Sequence, residues 1–273
     1  MKIDFEDKNL DQKSITEITK LIALKPEKGF SDLEFIWYLM DWVWDEIGCG
    51  NEKMNLNKMA EFYSHPVWLL NGLFIEQDEE SMRHRHAISD WIVQKQLKCI
   101  IDYGGGFGTL AKLISMKNEK ALIDIYEPFP SDYSLNIINE YAHIFLTDQL
   151  SKQYDCLVST DVLEHVYNPL ETLSDMISCL KVGGYLVIAN CFLPVIKCHL
   201  PQNLHLNYTF SLFARMMGMA ALYNIKGSHA MVYKKVNVTS PDWQQIRYLE
   251  KLSKSMYPFA EAAKKIYRRI RKR

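Results

Sequence analysis

Cys99-Ile-Ile-Asp-Tyr-Gly-Gly-Gly-Phe-Gly-Thr-Leu-Ala111 is the stretch around which this chain is organised. Ile100 and Ile101 supply a short apolar strand, and Gly104, Gly105, Gly106 and Gly108 remove side chains where a backbone must turn tightly and approach a ligand. From Thr109 the pattern becomes helical, with Leu110, Leu113 and Ile114 on one face. A glycine turn between a strand and a helix N-terminus presents unpaired N–H groups to a nucleotide-like ligand.

Two ligands fit that turn. Gly106-Phe-Gly-Thr-Leu-Ala111 satisfies the G-x-G-x-x-A pattern of dinucleotide sites. Glu127 lies 21 positions after Gly106, near the spacing of a ribose-binding acid. The glycines alone therefore do not separate a dinucleotide from S-adenosylmethionine (SAM). A P-loop is excluded, because no Gly-Lys-Ser/Thr follows.

The remaining composition narrows the class. A chain of 273 residues with 48% hydrophobic content carries enough apolar mass for one large domain, or one domain with an extension. A formal net charge of -1 argues against a dedicated nucleic-acid binder. The six cysteines (Cys49, Cys99, Cys156, Cys179, Cys191 and Cys198) form no C-x-x-C pair, and several sit in apolar strand contexts, which reads as free, reduced thiols. Cys191, Cys198 and His199 are near one another but match no zinc spacing, so no metal is expected. The N-terminus carries no apolar signal region and no stretch approaches a membrane span, which leads to the expectation of a cytoplasmic protein.

Residues 1–98 read as a helical N-terminal extension. Ser14-Ile-Thr-Glu17 and Ser31-Asp-Leu-Glu34 both fit the capping-box pattern. The second introduces Phe35 to Trp44, an apolar and aromatic helix expected to bury against the core, or in part to line a substrate pocket or a homodimer interface. Gly72 is expected to end one helix and Ser81 to cap the next, which carries the basic cluster Arg83, His84, Arg85 and His86. From Cys99 strands and helices alternate, implying a parallel sheet. Expected strands are 100–103, 121–127, 142–147, 156–160 and 185–189, followed by 222–225 and 230–236 as a closing hairpin whose last strand runs antiparallel. Residues 239–273 read as C-terminal helices with a basic tail, interrupted at Pro258.

This order of elements, with its residues at the strand ends, resembles the class I SAM-dependent methyltransferases over about residues 82–236. Four segments carry the resemblance: Ile-Ile-Asp102-Tyr-Gly104-Gly-Gly106-Phe-Gly108, Tyr126-Glu127-Pro128, Asp155 to Val166 with its Asp161-Val-Leu-Glu164-His165, and Leu180-Lys-Val-Gly183-Gly184. The third consecutive glycine and Tyr103 depart from the usual pattern. The resemblance implies an α/β Rossmann-like fold, a seven-stranded sheet with an antiparallel last strand, in a SAM-binding domain over residues 99–238. It further implies that Glu127 accepts from the ribose hydroxyls, that Asp102, Gly104 and Gly106 serve the turn and the methionine end, and that Asp148 and Asp161 line the cofactor site.

Methyl transfer from a sulfonium asks the protein mainly to align an acceptor and exclude water, with a base when the acceptor is a hydroxyl. The candidate catalytic residues are His165, His205 and Tyr208, with His199 also within the substrate-facing region. The N-terminal extension and the Asp-Tyr-Gly-Gly-Gly turn most resemble bacterial small-molecule and sugar methyltransferases of surface, including capsular, polysaccharide clusters. The implied acceptor is a sugar hydroxyl or a phosphoramidate or phosphate-type oxygen on a nucleotide-linked precursor, for which Arg83, His84 and Arg85 suit a phosphate. The alternatives are a non-catalytic scaffold of the same fold and, less favoured, an NAD-binding oxidoreductase. The helical pattern Ala260, Ala263, Ile266, Tyr267 and Ile270, with its lysines and arginines, would also suit peripheral contact with an anionic membrane.

Overall fold

The computed structural model describes residues 3, 10–24, 29–51, 55–150 and 153–271, apart from the side chain of residue 270. Five helices come first: α1 (Gln12–Ala23), α2 (Asp32–Ile47), α3 (Leu56–Tyr63), α4 (Pro66–Gln77) and α5 (Glu79–Gln94). Their starts follow local hydrogen-bond competition. At α2 the Ser31–Glu34 capping box forms as expected. At α1 and α5 the expected serine caps do not form. Asp11 accepts from Ser14 N at 2.9 Å and Asp78 accepts from Ser81 N at 2.8 Å, so each serine lies inside the first turn of a helix capped by an aspartate.

Gly72 does not end α4, which continues to Gln77. A Cβ at Gly72 would stand 2.5 Å from Cζ of Phe107, so the glycine lets the glycine-turn phenylalanine press against the helix backbone. Glu76 adds a polar tie: its Oε1 accepts from Thr109 Oγ1 at 3.0 Å and from Lys112 Nζ at 2.6 Å. Both donors belong to α6 (Thr109–Lys117), the helix that leaves the glycine turn.

The sheet has seven strands: β1 (Cys99–Tyr103), β2 (Leu122–Tyr126), β3 (Ile144–Thr147), β4 (Tyr154–Thr160), β5 (Leu180–Ala189), β6 (Met219–Asn224) and β7 (Met231–Lys235). Their spatial order is β3-β2-β1-β4-β5-β7-β6, with β7 antiparallel to both neighbours. This is the expected sheet with its antiparallel last strand. Order reverses between β1 and β4, which opens a crevice at their carboxyl ends. Register brings Asp102 beside both Ile125 and Val158, so the first strand's acid meets the crevice from the centre of the sheet. The central strands carry buried runs such as Ile100–Ile101 and Cys156–Val158, because helices cover both faces.

The remaining helices are α7 (Asp132–Asn139), α8 (Pro169–Ser178), α9 (Leu206–Met216) and α10 (Trp243–Arg271). Pro258 does not break α10 as the sequence suggests. Contacts to α9 flank it on both sides. Ser253 Oγ meets His205 Nδ1 at 2.8 Å before the proline, and Glu261 accepts from Tyr208 Oη at 2.5 Å after it. Those contacts offset the hydrogen bond that proline cannot donate. Phe259, Ile266 and Tyr267 are exposed on α10, while Lys272 and Arg273 lie outside the described residues. No helix among the described residues is long and apolar enough to cross a membrane.

The aromatic face of α2 is buried as expected, through Phe35, Leu39, Val43 and Trp44. Its cluster extends from α1–α4 to Phe107, Tyr133, Ile196, Cys198 and Leu200. The N-terminal helices thus rest on the turn after β1, on α7 and on the segment after β5, all of which border the crevice.

Candidate functional site

The glycine turn forms one wall of the crevice. Gly104 N donates to the Tyr126 carbonyl at 2.7 Å, and Glu127, just past β2, binds the turn from the other side. Its Oε2 accepts from Gly106 N at 3.0 Å and its Oε1 from Phe129 N at 3.1 Å. Burial raises the Glu127 carboxyl, while these two N–H donors pull it down. Tyr103 and Tyr126 stack at 4.7 Å, so the departure at Tyr103 is absorbed by a ring pair at the ends of β1 and β2. Asp148, past β3, is exposed.

Asp102 is 2% exposed, and its Oδ2 has no hydrogen-bond partner among the described residues. Burial pushes its carboxyl up to about 7, opposed by the Arg85 guanidinium and reinforced by Glu127. An unfolded aspartate titrates near about 3.9. The native state therefore keeps the proton longer, and this group's contribution to stability falls as pH rises through the interval up to about 7. Asp102→Asn lacks that loss. Relative to wild type it should gain about 1–3 kcal/mol between about pH 4.5 and about pH 7.5 in urea melts. Parallel pH curves for the two proteins would contradict it.

The facing wall follows β4. Asp161 adopts φ +55, an uncommon left-handed conformation for a non-glycine residue, and its N–H donates to the Ala189 carbonyl at 2.7 Å. Its side chain is reached by solvent, with many protein atoms around it. That crowding raises its carboxyl, and Arg85 opposes the rise. Arg85 of α5, whose Nη1 donates to the Ser81 carbonyl at 3.2 Å, acts electrostatically on both Asp161 and Asp102. The basic cluster is therefore divided: Arg83 is exposed and paired with Glu80 at 3.1 Å, whereas Arg85 and His84 both act on Asp161.

Glu164 is fully buried, accepts from Cys191 N at 2.7 Å through Oε1, and has no partner for Oε2. Burial, with Asp161 adding to it, raises the Glu164 carboxyl. His165 Nδ1 lies 3.2 Å from the Cys198 carbonyl, and His199 Nδ1 lies 2.7 Å from the Leu193 carbonyl. Burial lowers both imidazoles, His165 to about 3. Over them stands an aromatic wall. Phe129 stacks on Tyr63 at 5.7 Å, and the rings of Tyr63 and Trp68 meet His165 edge-on at 6.2 and 5.8 Å. Tyr63 Oη and Trp68 Nε1 are buried without hydrogen-bond partners.

The sequence-derived catalytic set is not brought together. His165 faces the crevice, whereas His205 and Tyr208 are bound by Ser253 and Glu261 of α10. The charges acting on His205 come from Lys254 and Glu250, also on α10. Tyr63, Trp68 and Glu164 were not singled out from sequence as site residues. Tyr63 and Trp68 read there as ordinary apolar helix positions, and only Glu164 carried a signal, its place beside His165.

The orphaned Oδ2 of Asp102 and the buried Oδ1 of Asn190, which follows β5, are polar atoms at the crevice awaiting a polar partner. With the N–H-rich turn and Glu127, they fit a ligand bearing an ammonium or amide at one end and a ribose in the middle.

A family model described as a methyltransferase domain matches residues 74–222. None of the curated proteins searched matches. Human N-acetylserotonin methyltransferase, solved in complex with SAM, is similar in fold: identity is 11%, 82% of this chain and 67% of that chain are covered, and the TM-score is 0.51. An O-methyltransferase family protein from Burkholderia thailandensis shares 14% identity over 75% of this chain and 71% of its own, with a TM-score of 0.47.

Proposed function

The chain belongs to the methyltransferase-domain family, and we propose that it is a SAM-dependent O-methyltransferase acting on a small, hydroxyl-rich acceptor. The observation that carries this reading is the ring chain Phe129–Tyr63–His165, which joins the Glu127 loop directly to the facing wall. That contact supports reading the two walls as one cleft beneath the N-terminal helices, with the cofactor on one side and the acceptor on the other.

When bound, SAM supplies an activated methyl group on a sulfonium. Asp102 and Arg85 would hold the charged methionine end, Glu127 the ribose hydroxyls, and the loop at Asp148 the adenine. Asp161 would line the floor between cofactor and acceptor. His165 and His199, each fixed through Nδ1 beside a backbone carbonyl, would stand next to the substrate hydroxyl and help to position it. Tyr63 Oη and Trp68 Nε1 offer buried partners to neighbouring hydroxyls, and the rings exclude water.

A sugar hydroxyl is favoured over a phosphate-type oxygen because, of Arg83, His84 and Arg85, Arg83 and His84 lie beside Glu80 and Arg85 feels the opposing charges of Asp102 and Asp161. A sugar on a nucleotide-linked precursor, as used in capsular or other surface polysaccharide assembly, is the acceptor class proposed. The test incubates the protein with isotope-labelled SAM and a panel of nucleotide sugars and phosphorylated acceptors, read by mass spectrometry. One labelled methyl on the sugar is expected. Label on phosphate moves the acceptor class, and SAM binding with no transfer to any member supports the scaffold alternative.

A further inference from the structure

We propose that Glu164, His165 and His199 form a binding site for a first-row divalent cation of the zinc type, open toward the acceptor side of the cleft. One ligand atom from each residue lies within 4.8 Å of the other two. Side-chain adjustments of about an ångström bring three such atoms to the roughly 2.0–2.2 Å at which nitrogen and carboxylate ligands hold zinc.

The hydrogen bonding around the three residues orients them as ligands. Each imidazole turns Nδ1 to a backbone carbonyl, Cys198 for His165 and Leu193 for His199. A carbonyl only accepts, so in both rings Nδ1 carries the proton and Nε2 is the nitrogen left to ligate a metal. Fixing the tautomer through the second ring nitrogen is how metal-binding histidines are commonly held. Glu164 is held in the same manner: Cys191 N occupies Oε1 and leaves Oε2 buried and without a partner. A buried acceptor left so is destabilising. A purely structural cluster would relieve it with a carboxyl–imidazole hydrogen bond, and none forms at Oε2.

The supporting backbone is tied on both sides. Leu200 N donates to the Glu164 carbonyl at 3.0 Å, and Asn203 Nδ2 donates to the carbonyls of Leu163, Glu164 and Val166 at 3.3, 3.2 and 2.8 Å. These bonds bind the segment after β5 to the segment after β4 and preorganise the site. Two imidazoles and one carboxylate suit zinc, iron(II), cobalt or manganese, whereas magnesium and calcium prefer all-oxygen sets. Of the three residues His165 alone is partly exposed, so an ion's free positions face the cleft. That an acceptor oxygen would take such a position rests on the methyl-transfer reading; occupancy by the ion does not.

The test uses the full chain, treated with EDTA and dialysed, and titrates it with zinc chloride by calorimetry and cobalt chloride by visible absorption. One equivalent should bind, with d–d bands of a nitrogen- and oxygen-ligated cobalt. Glu164→Gln and His199→Ala should each weaken binding by at least about 30-fold while keeping a cooperative melt without metal. Cys191→Ser and Cys198→Ser, made together, should leave binding unchanged. Absence of stoichiometric binding, or unchanged affinity in both Glu164→Gln and His199→Ala, overturns the site. Neither measurement involves SAM or turnover, so failure here leaves the methyl-transfer reading to its own assay.

Discussion

Gly104→Ala is expected to abolish measurable SAM binding and to cost about 2–4 kcal/mol of stability. Gly104 has φ +75, where a side chain is strained, and an added Cβ would stand 2.4 Å from Cγ2 of Val162. Neither partner can yield easily. Gly104 N is bonded to the Tyr126 carbonyl at 2.7 Å, and Val162 follows Asp161, whose own N–H is bonded to the Ala189 carbonyl. Relief must therefore move either the glycine turn or the loop after β4, and both border the cofactor side of the cleft. Calorimetry should show a loss of SAM affinity of at least about 100-fold, near 3 kcal/mol. Gly104→Ala combined with Val162→Ala removes the clashing carbon but not the backbone strain, so part of the stability should return. Wild-type SAM affinity in Gly104→Ala would show that this turn is not the cradle.

Glu127→Ala is expected to weaken SAM binding by about 100-fold or more while the fold survives. The carboxylate is oriented by Gly106 N and Phe129 N at 3.0 and 3.1 Å, which frees its remaining lone pairs for paired hydroxyls. Charge-assisted hydrogen bonds of this kind contribute about 1.5–3 kcal/mol each, so losing two reaches the stated range. Glu127→Gln keeps one accepting oxygen and should lose only about tenfold. The two variants together separate loss of a ligand contact from collapse of the turn. Full affinity in Glu127→Ala would remove Glu127 from the cofactor site.

Much of this cleft was readable along the chain because its cofactor side is built from contiguous residues. A buried strand, glycines, a helix start and an acid at the next strand's end are local choices, each set by backbone sterics or by side-chain polarity. Hence Asp102, Gly104, Gly106 and Glu127 could be singled out before any contact was known. Local patterns failed where two of them competed. Ser14 and Ser81 each fit a cap pattern, yet an aspartate three positions earlier took the role. Gly72 fit a helix stop, yet the ring of Phe107 explains its missing side chain. Pro258 fit a break, yet contacts from α9 on both sides carry the helix through it.

The positions of the strands and the closing hairpin follow from apolar runs and turn residues along the chain, the seven-stranded sheet was implied by the family resemblance, and the spatial order with its reversal between β1 and β4 is set by strand pairing in the fold. Packing decided which distant side chains share the cleft. His205 and Tyr208 carry proton-accepting side chains as His165 does, but α10 binds them. His199 and Glu164 converge because the segment after β5 is bonded back onto the segment after β4. Tyr63 and Trp68 join them because α3 and α4 bury their apolar faces on the same loops. A hydrogen bond or a ring contact between residues so far apart in the chain has no local signature, since it exists only once the sheet has set the distance between its loops.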